Sequence, residues 1–302
     1  MAAWERVARR VALAGIAASM ALAAVKIAVG LAGNSVAVVS DGLESCADVV
    51  TSGLVWLGLR IAAKPADQNH PYGHGRYEIL AGLAVGTLLA AVGATICVGS
   101  VEHRYDQHVP EAFAAWASAL SVAVHGTFSA MKMRAGKRTG SAALTADAWH
   151  DLVDVLSGSV ALVAVLLASL VPGMGAADHY GGFAIGLIVI FLGLRTARET
   201  TAQLTDTMPD EAQMQEIRAA ALHVPGAIAI EKCFARKTGL RYHVDLHLEV
   251  DPYMTVLESH QIAHAVQLQV KTELNWVADV LVHVEPHGVR LPTPEPAASL
   301  RS

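Results

Sequence analysis

The sequence predicts an α-helical membrane protein with six transmembrane helices, followed by a small α+β domain at the C-terminal end. Of its 302 residues, 53% are hydrophobic and only 16% are charged, a balance too apolar for an ordinary soluble domain. The apolar residues form blocks up to about residue 200, after which the chain becomes polar and rich in histidine. This change predicts a membrane-embedded part followed by a soluble part.

Six segments are long and apolar enough to cross a bilayer, which requires about 20 mostly apolar helical residues. They cover roughly 10–32, 35–60, 79–101, 111–131, 143–171 and 181–200. The fourth is the least apolar, because His125 and serines interrupt it. The first follows several arginines, as in a signal peptide, but it is longer than the apolar region of such a peptide. We therefore expect the first segment to be retained as a helix.

Basic residues predict the orientation, because lysine and arginine are concentrated in cytoplasmic loops. Four basic clusters fall on one side of a six-helix arrangement. They are Arg6, Arg9 and Arg10; Arg60, Lys64 and Arg76; Lys132, Arg134, Lys137 and Arg138; and Arg195 and Arg198. The opposite loops carry almost no basic residue, so both termini are predicted to be cytoplasmic.

The polar segment after Pro209 has the pattern of a small α+β domain. Its predicted elements have the order helix, strand, strand, helix, strand, which is typical of a ferredoxin-like domain. They cover about 210–223, 227–235, 240–250, 256–274 and 278–286. In the last two strands polar residues alternate with valine and leucine, so one face is predicted to be polar and the other to pack in a core.

The chain is thus predicted to have three parts. Residues 1–207 form the transmembrane domain, 208–290 the cytosolic domain, and 291–302 a disordered tail rich in proline. The net charge of −5 and the lack of a basic patch argue against a nucleic-acid partner. Three widely spaced cysteines without a CxxC pair argue against a disulfide framework or a thiolate metal site.

Charged side chains recur inside the second and fifth predicted spans, where charge is costly and usually functional. The second span carries Asp41, Glu44 and Asp48, and the fifth carries Asp147, His150 and Asp154. In both spans the three residues lie at positions i, i+3 and i+7, which share one helical face. Each residue of the second set follows its counterpart by 106 positions. Helices 1–3 and 4–6 are therefore predicted to be diverged repeats, an arrangement that marks binding sites in transporters.

Glu44, Asp48, His150 and Asp154 offer three carboxylates and one imidazole from two facing helices. Such a set can enclose a four-coordinate zinc ion, whose charge offsets the repulsion between the carboxylates. A polar network that only ties two helices together is the alternative, but it rarely gathers this much negative charge in a membrane. For Asp41 and Asp147 a cap or an interfacial group is the simpler interpretation.

A second cluster lies between the second and third spans, where Asp67, His70 and His74 fall within one short, turn-rich stretch. A carboxylate three residues before the first of two histidines spaced four apart is a plausible metal cluster. From spacing alone, a solvated polar loop explains the same residues equally well.

The second and fifth spans, together with the segment PADQNHPYGHG at 65–75, resemble the cation diffusion facilitator family of metal exporters. The match extends from the first helix to His287. It implies a homodimeric metal/proton antiporter in a bacterial cytoplasmic membrane, with its transport site at the four residues named above. Glu44 departs from the family pattern, which more often has Asp or His at that place.

The resemblance implies two further metal sites and one charge pair. A loop site at Asp67, His70 and His74 is similar to the second site of bacterial members. Arg76 and Asp206 resemble a charge pair that ties the dimer together. The family's cytosolic metal cluster maps onto Glu231, His247, His260, His283 and Glu285. Because Glu231 stands where some members have histidine, we expect one ion there rather than two.

The sequence therefore predicts proton-coupled export of a divalent cation by alternating access. Imidazole favours zinc, while the three carboxylates would also accept Fe²⁺, Mn²⁺, Cd²⁺ or Co²⁺. A membrane metal sensor or scaffold that transports nothing is an alternative of a different class. An intramembrane metal hydrolase with Asp151 as its base is a third, but no HExxH pattern or nucleophile motif is present. The chain is therefore not expected to be an enzyme.

Overall fold

The computed structural model describes residues 17, 19–102, 109–139 and 142–289. The N-terminal arginines and the predicted tail at 291–302 lie outside these residues. The chain divides into two compact units. The first comprises Met1–Gly58 and Ala81–Thr200, and the second comprises Leu59–Leu80 and Thr201–Ser302.

Each of the six predicted spans corresponds to a helix in the described part of the chain. These helices are α1 (Ser19–Ala32), α2 (Val36–Ala62), α3 (Arg76–Glu102), α4 (Ala115–Thr139), α5 (Ala142–Leu170) and α6 (Ala177–Leu204). By length and composition, α2, α3, the Ala148–Leu170 part of α5, and α6 can each cross a membrane. The described part of α1 is shorter, and α4 is less apolar than these four. The predicted helical membrane fold is confirmed.

Helix α4 extends farther than its apolar residues predict. The predicted fourth span ends at about residue 131, whereas the helix continues to Thr139 and includes Lys132, Arg134, Lys137 and Arg138. Lysine and arginine are good helix formers and prolong the backbone hydrogen bonding past the apolar residues.

Helices α3 and α6 approach closely because glycines face each other. A Cβ on Gly93 would lie 2.7 Å from the Gly186 carbonyl oxygen, and a Cβ on Gly86 would lie 2.8 Å from that of Gly193. Small residues at such crossings allow close backbone packing in membranes.

Asp178, at the start of α6, fixes the beginning of α2. Its carboxylate accepts hydrogen bonds from the backbone N–H of Val36 at 2.5 Å and from the Ser35 hydroxyl at 2.7 Å. A carboxylate satisfies the unpaired N–H groups of a helix N-terminus and is favoured by the helix dipole. A buried cluster of Ala37, Ala161, Ala164, Ile185 and Val189 then packs α2, α5 and α6 together. These contacts hold α2 beside α5.

The C-terminal elements have the predicted helix, strand, strand, helix, strand order. They are α7 (Glu211–Leu222), β1 (Ala229–Thr238), β2 (Arg241–Val250), α8 (Val256–Glu273) and β3 (Val277–Pro286). Strand β2 is central, with β1 antiparallel to it and β3 parallel to it. A parallel pair requires a crossover connection, which α8 provides. The ferredoxin-like α+β prediction is confirmed.

The two faces of this sheet differ as the alternating pattern predicts. Leu246 and Leu248 of β2 are buried in a core with Val266 and Val270 of α8. The intervening residues of β2 point to the opposite face. The register pairs His247 with His283 and Glu249 with Glu285, so histidines and carboxylates gather on the face away from α8.

Candidate metal centres

Three of the four side chains predicted for the membrane site meet between α2 and α5. Asp48, His150 and Asp154 offer ligand atoms that all lie within 4.8 Å of one another. The His150 Nε2 atom is 3.7 Å from Asp48 Oδ2. Asp154 is buried, whereas the His150 side chain is 50% exposed. The group therefore combines one accessible imidazole with two carboxylates from two helices.

Glu44 lies one helical turn before Asp48 and is buried. Its Oε1 atom accepts a hydrogen bond from the Ser157 hydroxyl at 3.0 Å. Its Oε2 atom is buried without a hydrogen-bond partner among the described residues. A buried carboxylate oxygen without a partner is costly. Glu44 is therefore beside the three-residue group rather than within it, with one oxygen still to be satisfied.

His125 of α4 belongs to the same centre, although the sequence suggested only that it weakens the fourth span. Its Nδ1 atom is 3.0 Å from Asp154 Oδ2. His125, Asp151 and Asp154 form a second buried group whose ligand atoms lie within 4.8 Å of one another. Asp154 is thus common to both groups. A polar residue inside an apolar span was the available signal.

Two buried lysines pair with acids of this region. Lys26 of α1 donates to Asp41 Oδ1 and to the Ser45 hydroxyl, both at 3.0 Å. Lys132 donates to Asp151 Oδ1 at 2.9 Å. The interpretation of Asp41 as a cap or interfacial group was wrong, because its side chain is 1% exposed and ion-paired. The side chain of Asp147 lies outside the described residues.

A cavity of about 130 Å³ connects these groups. Its walls come from α1, α2, α4 and α5. The charged and imidazole side chains that line it are Asp48, His125, Lys132, His150, Asp151 and Asp154. A small polar cavity with convergent carboxylates and imidazoles suits a cation better than an organic molecule.

In the loop between α2 and α3, Asp67, His70 and His74 offer ligand atoms that all lie within 4.8 Å of one another. The His70 Nδ1 atom is 3.3 Å from Asp67 Oδ1, and His74 Nε2 is 3.5 Å from Asp67 Oδ2. His74 Nδ1 lies 3.1 Å from the Pro65 carbonyl oxygen, a contact of the kind that orients a metal-binding imidazole. The backbone N–H of His70 is the main cause that lowers the pKa of Asp67. Asp67 therefore remains ionised, as a metal ligand must.

On the polar face of the sheet, His247, His283 and Glu285 also form a group within 4.8 Å. The His247 Nδ1 atom is 2.5 Å from Glu285 Oε1. A shared hydrogen bond with the Glu231 side chain first, and then one with His247, lower the pKa of Glu285. The pairing of β1 with β2 shifts register between Ile230 and Lys232. Such a bulge re-aims the side chain of the residue between them, which is Glu231.

His260 does not join this group within one protomer. It is exposed on α8, and α8 packs against the opposite, apolar face of the sheet. The five-residue cytosolic cluster implied by the family resemblance is therefore assembled only in part. His287 instead pairs with Glu249, with Nδ1 2.5 Å from Oε2, a contact that the sequence did not suggest.

Arg76 and Asp206 do form an ion pair, with Nη2 2.9 Å from Oδ1. Both residues belong to the same chain, and each side chain is 48% exposed. The pair therefore joins the beginning of α3 to the segment after α6. An exposed pair of this kind contributes about 0–1 kcal/mol.

Two family models together match this chain over most of its length. Residues 12–205 match the model of the cation efflux transmembrane domain. Residues 209–287 match the model of the cation efflux protein, cytoplasmic domain. The chain therefore belongs to the cation efflux, or cation diffusion facilitator, family of integral membrane transporters. Members of this family are transporters and not enzymes, which removes the hydrolase alternative.

Relatives come from plants and bacteria, and the plant proteins are longer than this chain. The manganese efflux system protein MneP of Bacillus subtilis is 29% identical over 289 residues, covering 94% of this chain and 97% of its own. Metal tolerance protein 2 of Oryza sativa subsp. japonica is 28% identical over 303 residues, which cover 91% of this chain and 77% of the rice protein. The magnetosome protein MamB of Paramagnetospirillum magneticum is 29% identical over 276 residues, which cover 91% of this chain and 90% of MamB.

Proposed function

We propose that this protein exports divalent zinc in exchange for protons, and that it works as a homodimer with both termini in the cytosol. The observation that carries the proposal is the convergence of Asp48, His150 and Asp154 on one small cavity between α2 and α5. Structural contacts between helices do not need three ionisable groups around a shared cavity, whereas cation transport does.

The donor set supports zinc as the cargo. Zinc is usually bound by four ligands drawn from imidazole, carboxylate and thiolate. Asp48, His150 and Asp154 supply three, and the unpartnered Oε2 of Glu44 is one turn away on the same helix. A small rotation of α2 against α5 would bring this oxygen to the ion. Glu44 would then complete four-fold coordination.

Proton exchange follows from the same chemistry. Carboxylates and imidazole bind a metal only in their deprotonated forms, so metal and protons compete for one site. Zinc that enters from the cytosolic side displaces protons, and protons that enter from the far side release zinc. Repeated helix pairs that change their tilt around a fixed site give access to each side in turn.

The loop site and the cytosolic cluster support metal handling before transport. Asp67, His70 and His74 lie in the α2–α3 loop, which the distribution of basic residues predicts to be cytosolic. His247, His283 and Glu285 lie on the polar face of the sheet in the cytosolic domain. We propose that both groups bind zinc reversibly, and that His260 from a partner subunit reaches the cytosolic cluster in the dimer.

Manganese is the second candidate. The relative MneP is named as a manganese efflux protein, and the carboxylates of this site suit a harder ion than zinc. The single imidazole of the Asp48, His150 and Asp154 group is the feature that favours zinc over manganese.

Metal-resolved flux into sealed vesicles containing the purified protein tests the proposal. We expect zinc to accumulate inside vesicles in which the cytosolic side faces outward, and to do so faster than manganese when the two compete. Manganese ahead of zinc would support the second candidate. Metal binding without flux of either ion would indicate a sensor or scaffold.

The cytosolic cluster makes a separate prediction. Replacing His247 and His283 by Ala should weaken zinc binding by a fragment of residues 208–290 by at least about tenfold, because two of its imidazole ligands are lost. Calorimetry measures the affinity. His223→Ala is the matched control, since that histidine is exposed at the end of α7 and pairs with Glu273. Equal zinc affinity in the double variant and the control would show that the cluster is not a metal site.

A further inference from the structure

Lys132 is ion-paired with Asp151, a member of the second ligand group of the membrane centre. Its Nζ atom is 2.9 Å from Asp151 Oδ1 and 2.9 Å from Asp151 Oδ2. The imidazole of His125 is 3.9 Å from Asp151 Oδ1 and 3.0 Å from Asp154 Oδ2. All four side chains line the same cavity. The ammonium group is therefore bound to a carboxylate, Asp151, that also belongs to a group of potential metal ligands.

The donors around this ammonium would suit a metal ion. His125 is 3% exposed, and its Nε2 atom is buried without a hydrogen-bond partner among the described residues. Its Nδ1 atom, together with Asp151 and Asp154, forms a group close enough to hold a single ion. One imidazole and two carboxylates are a usual set of protein ligands for zinc.

The internal repeat allows the surroundings of Lys132 to be compared with those of its counterpart in the first half of the chain. Lys132 follows Lys26 by 106 positions, the offset that also relates Asp154 to Asp48. At the same offset, Asp151 corresponds to Ser45. In the first half the lysine thus meets a single carboxylate, Asp41, and a hydroxyl.

His125 follows the same rule, because it corresponds to Ser19 at the offset of 106. Ser19 and His125 both line the cavity. The second half of the chain therefore has two metal-binding side chains beside its lysine where the first half has two hydroxyls. Among the described residues, the lysine of the second half is therefore the one that pairs with a member of a potential ligand group.

We propose that the Lys132 ammonium is a tethered cation that fills a second ion position formed by His125, Asp151 and Asp154. The membrane centre then holds one divalent ion, at Asp48, His150 and Asp154, and not two. Two divalent ions that shared Asp154 would repel each other and would need more protons to release them. Lys132 neutralises Asp151 without taking part in that exchange. This inference rests on the proposed function, since it assumes that the first position binds metal.

Zinc stoichiometry of the full-length protein tests the inference. The loop and cytosolic groups are first removed by His70→Ala, His74→Ala, His247→Ala and His283→Ala, which leaves the membrane centre. Calorimetry and elemental analysis in detergent should then give one zinc per protomer. Adding Lys132→Met should raise the number to two, because the second position is vacated. Adding Asp151→Asn to Lys132→Met should return it to one.

Two controls separate the possible outcomes. Lys26→Met in the same background should keep one zinc, because Asp41 belongs to none of the potential ligand groups found among the described residues. Asp154→Ala should reduce the number to zero. If the background variant, which carries only the four His→Ala changes, binds no zinc, the proposed function itself is contradicted. One zinc in both the background and Lys132→Met would overturn only the present inference.

A second measurement covers the case in which Lys132→Met does not fold. Asp151→Asn alone leaves the ammonium without its counter-charge, so the zinc affinity of the first position should fall by about tenfold or more. Combining Asp151→Asn with Lys132→Met should restore that affinity. If Asp151→Asn binds zinc with unchanged affinity, the Lys132 ammonium does not act as the second cation of this centre.

Discussion

Replacing Asp154 by Ala is expected to reduce zinc flux to the level of vesicles without protein. Asp154 is the one side chain common to both ligand groups of the membrane centre. Its carboxylate faces His125 from α4 and shares a ligand group with Asp48 of α2 and His150 of α5. Removing it takes one direct oxygen ligand from the ion and leaves His125 without its partner.

Zinc uptake into reconstituted vesicles measures this effect, and size-exclusion chromatography checks that the variant is folded. Asp154→Asn refines the result, because it keeps the shape of the side chain and removes only its charge. Glu199→Ala is the matched control, since Glu199 is an exposed carboxylate near the end of α6 that pairs with Arg195. It should transport like the unmodified protein. Near-normal flux in Asp154→Ala would contradict the assignment of the site.

Much of the membrane centre could be predicted because two independent sequence patterns agree, the helical spacing within each span and the constant offset between the two spans. The i, i+3, i+7 spacing places the charges of each span on one helical face. The constant offset of 106 positions indicates that the two faces correspond to each other. Asp48, His150 and Asp154 satisfy both conditions, and the structure brings them together. The sheet was predictable for a similar reason, since alternation in β2 defines a polar and an apolar face.

The contribution of α1 and α4 was harder to predict. Each brings few polar residues, Lys26 from α1 and His125 and Lys132 from α4, and so few residues do not define a polar helical face by themselves. Hydropathy averages such a residue with its apolar neighbours, and a lysine near the end of an apolar run resembles a loop residue. Only the packing of helices reveals that Lys26 and Lys132 are buried and paired with acids.

In the cytosolic cluster, the alternation of polar and apolar residues predicts some of the members and not others. Alternation along β2 and β3 identifies His247, His283 and Glu285 as neighbours on one face. It cannot place Glu231, because the register shift in β1 breaks the alternation at that residue. It also cannot place His260, since a helical residue can pack on either face of a sheet until the core of the domain is known.

Zinc flux is expected to depend steeply on pH and on the proton gradient, because the membrane centre collects groups that bind protons or metal but not both. The imidazole of His150 is the accessible member of the group, and its side chain is 50% exposed. An unperturbed imidazole has a pKa of about 6.5, so it changes charge near neutral pH. Acidification of the cytosolic side should therefore slow zinc entry, and acidification of the far side should speed zinc release.

Vesicles whose cytosolic side faces outward allow both effects to be measured. Zinc uptake should increase when the interior is acidic, decrease severalfold when a protonophore collapses the gradient, and fall as the external pH is lowered from about 8 to about 6. His150→Asp should change this profile, because it replaces an imidazole, which is neutral when deprotonated, by a carboxyl group, which is negatively charged when deprotonated. Glu199→Ala should keep the profile of the unmodified protein. Zinc flux that is indifferent to pH across this range would exclude His150 as the group that exchanges protons for metal.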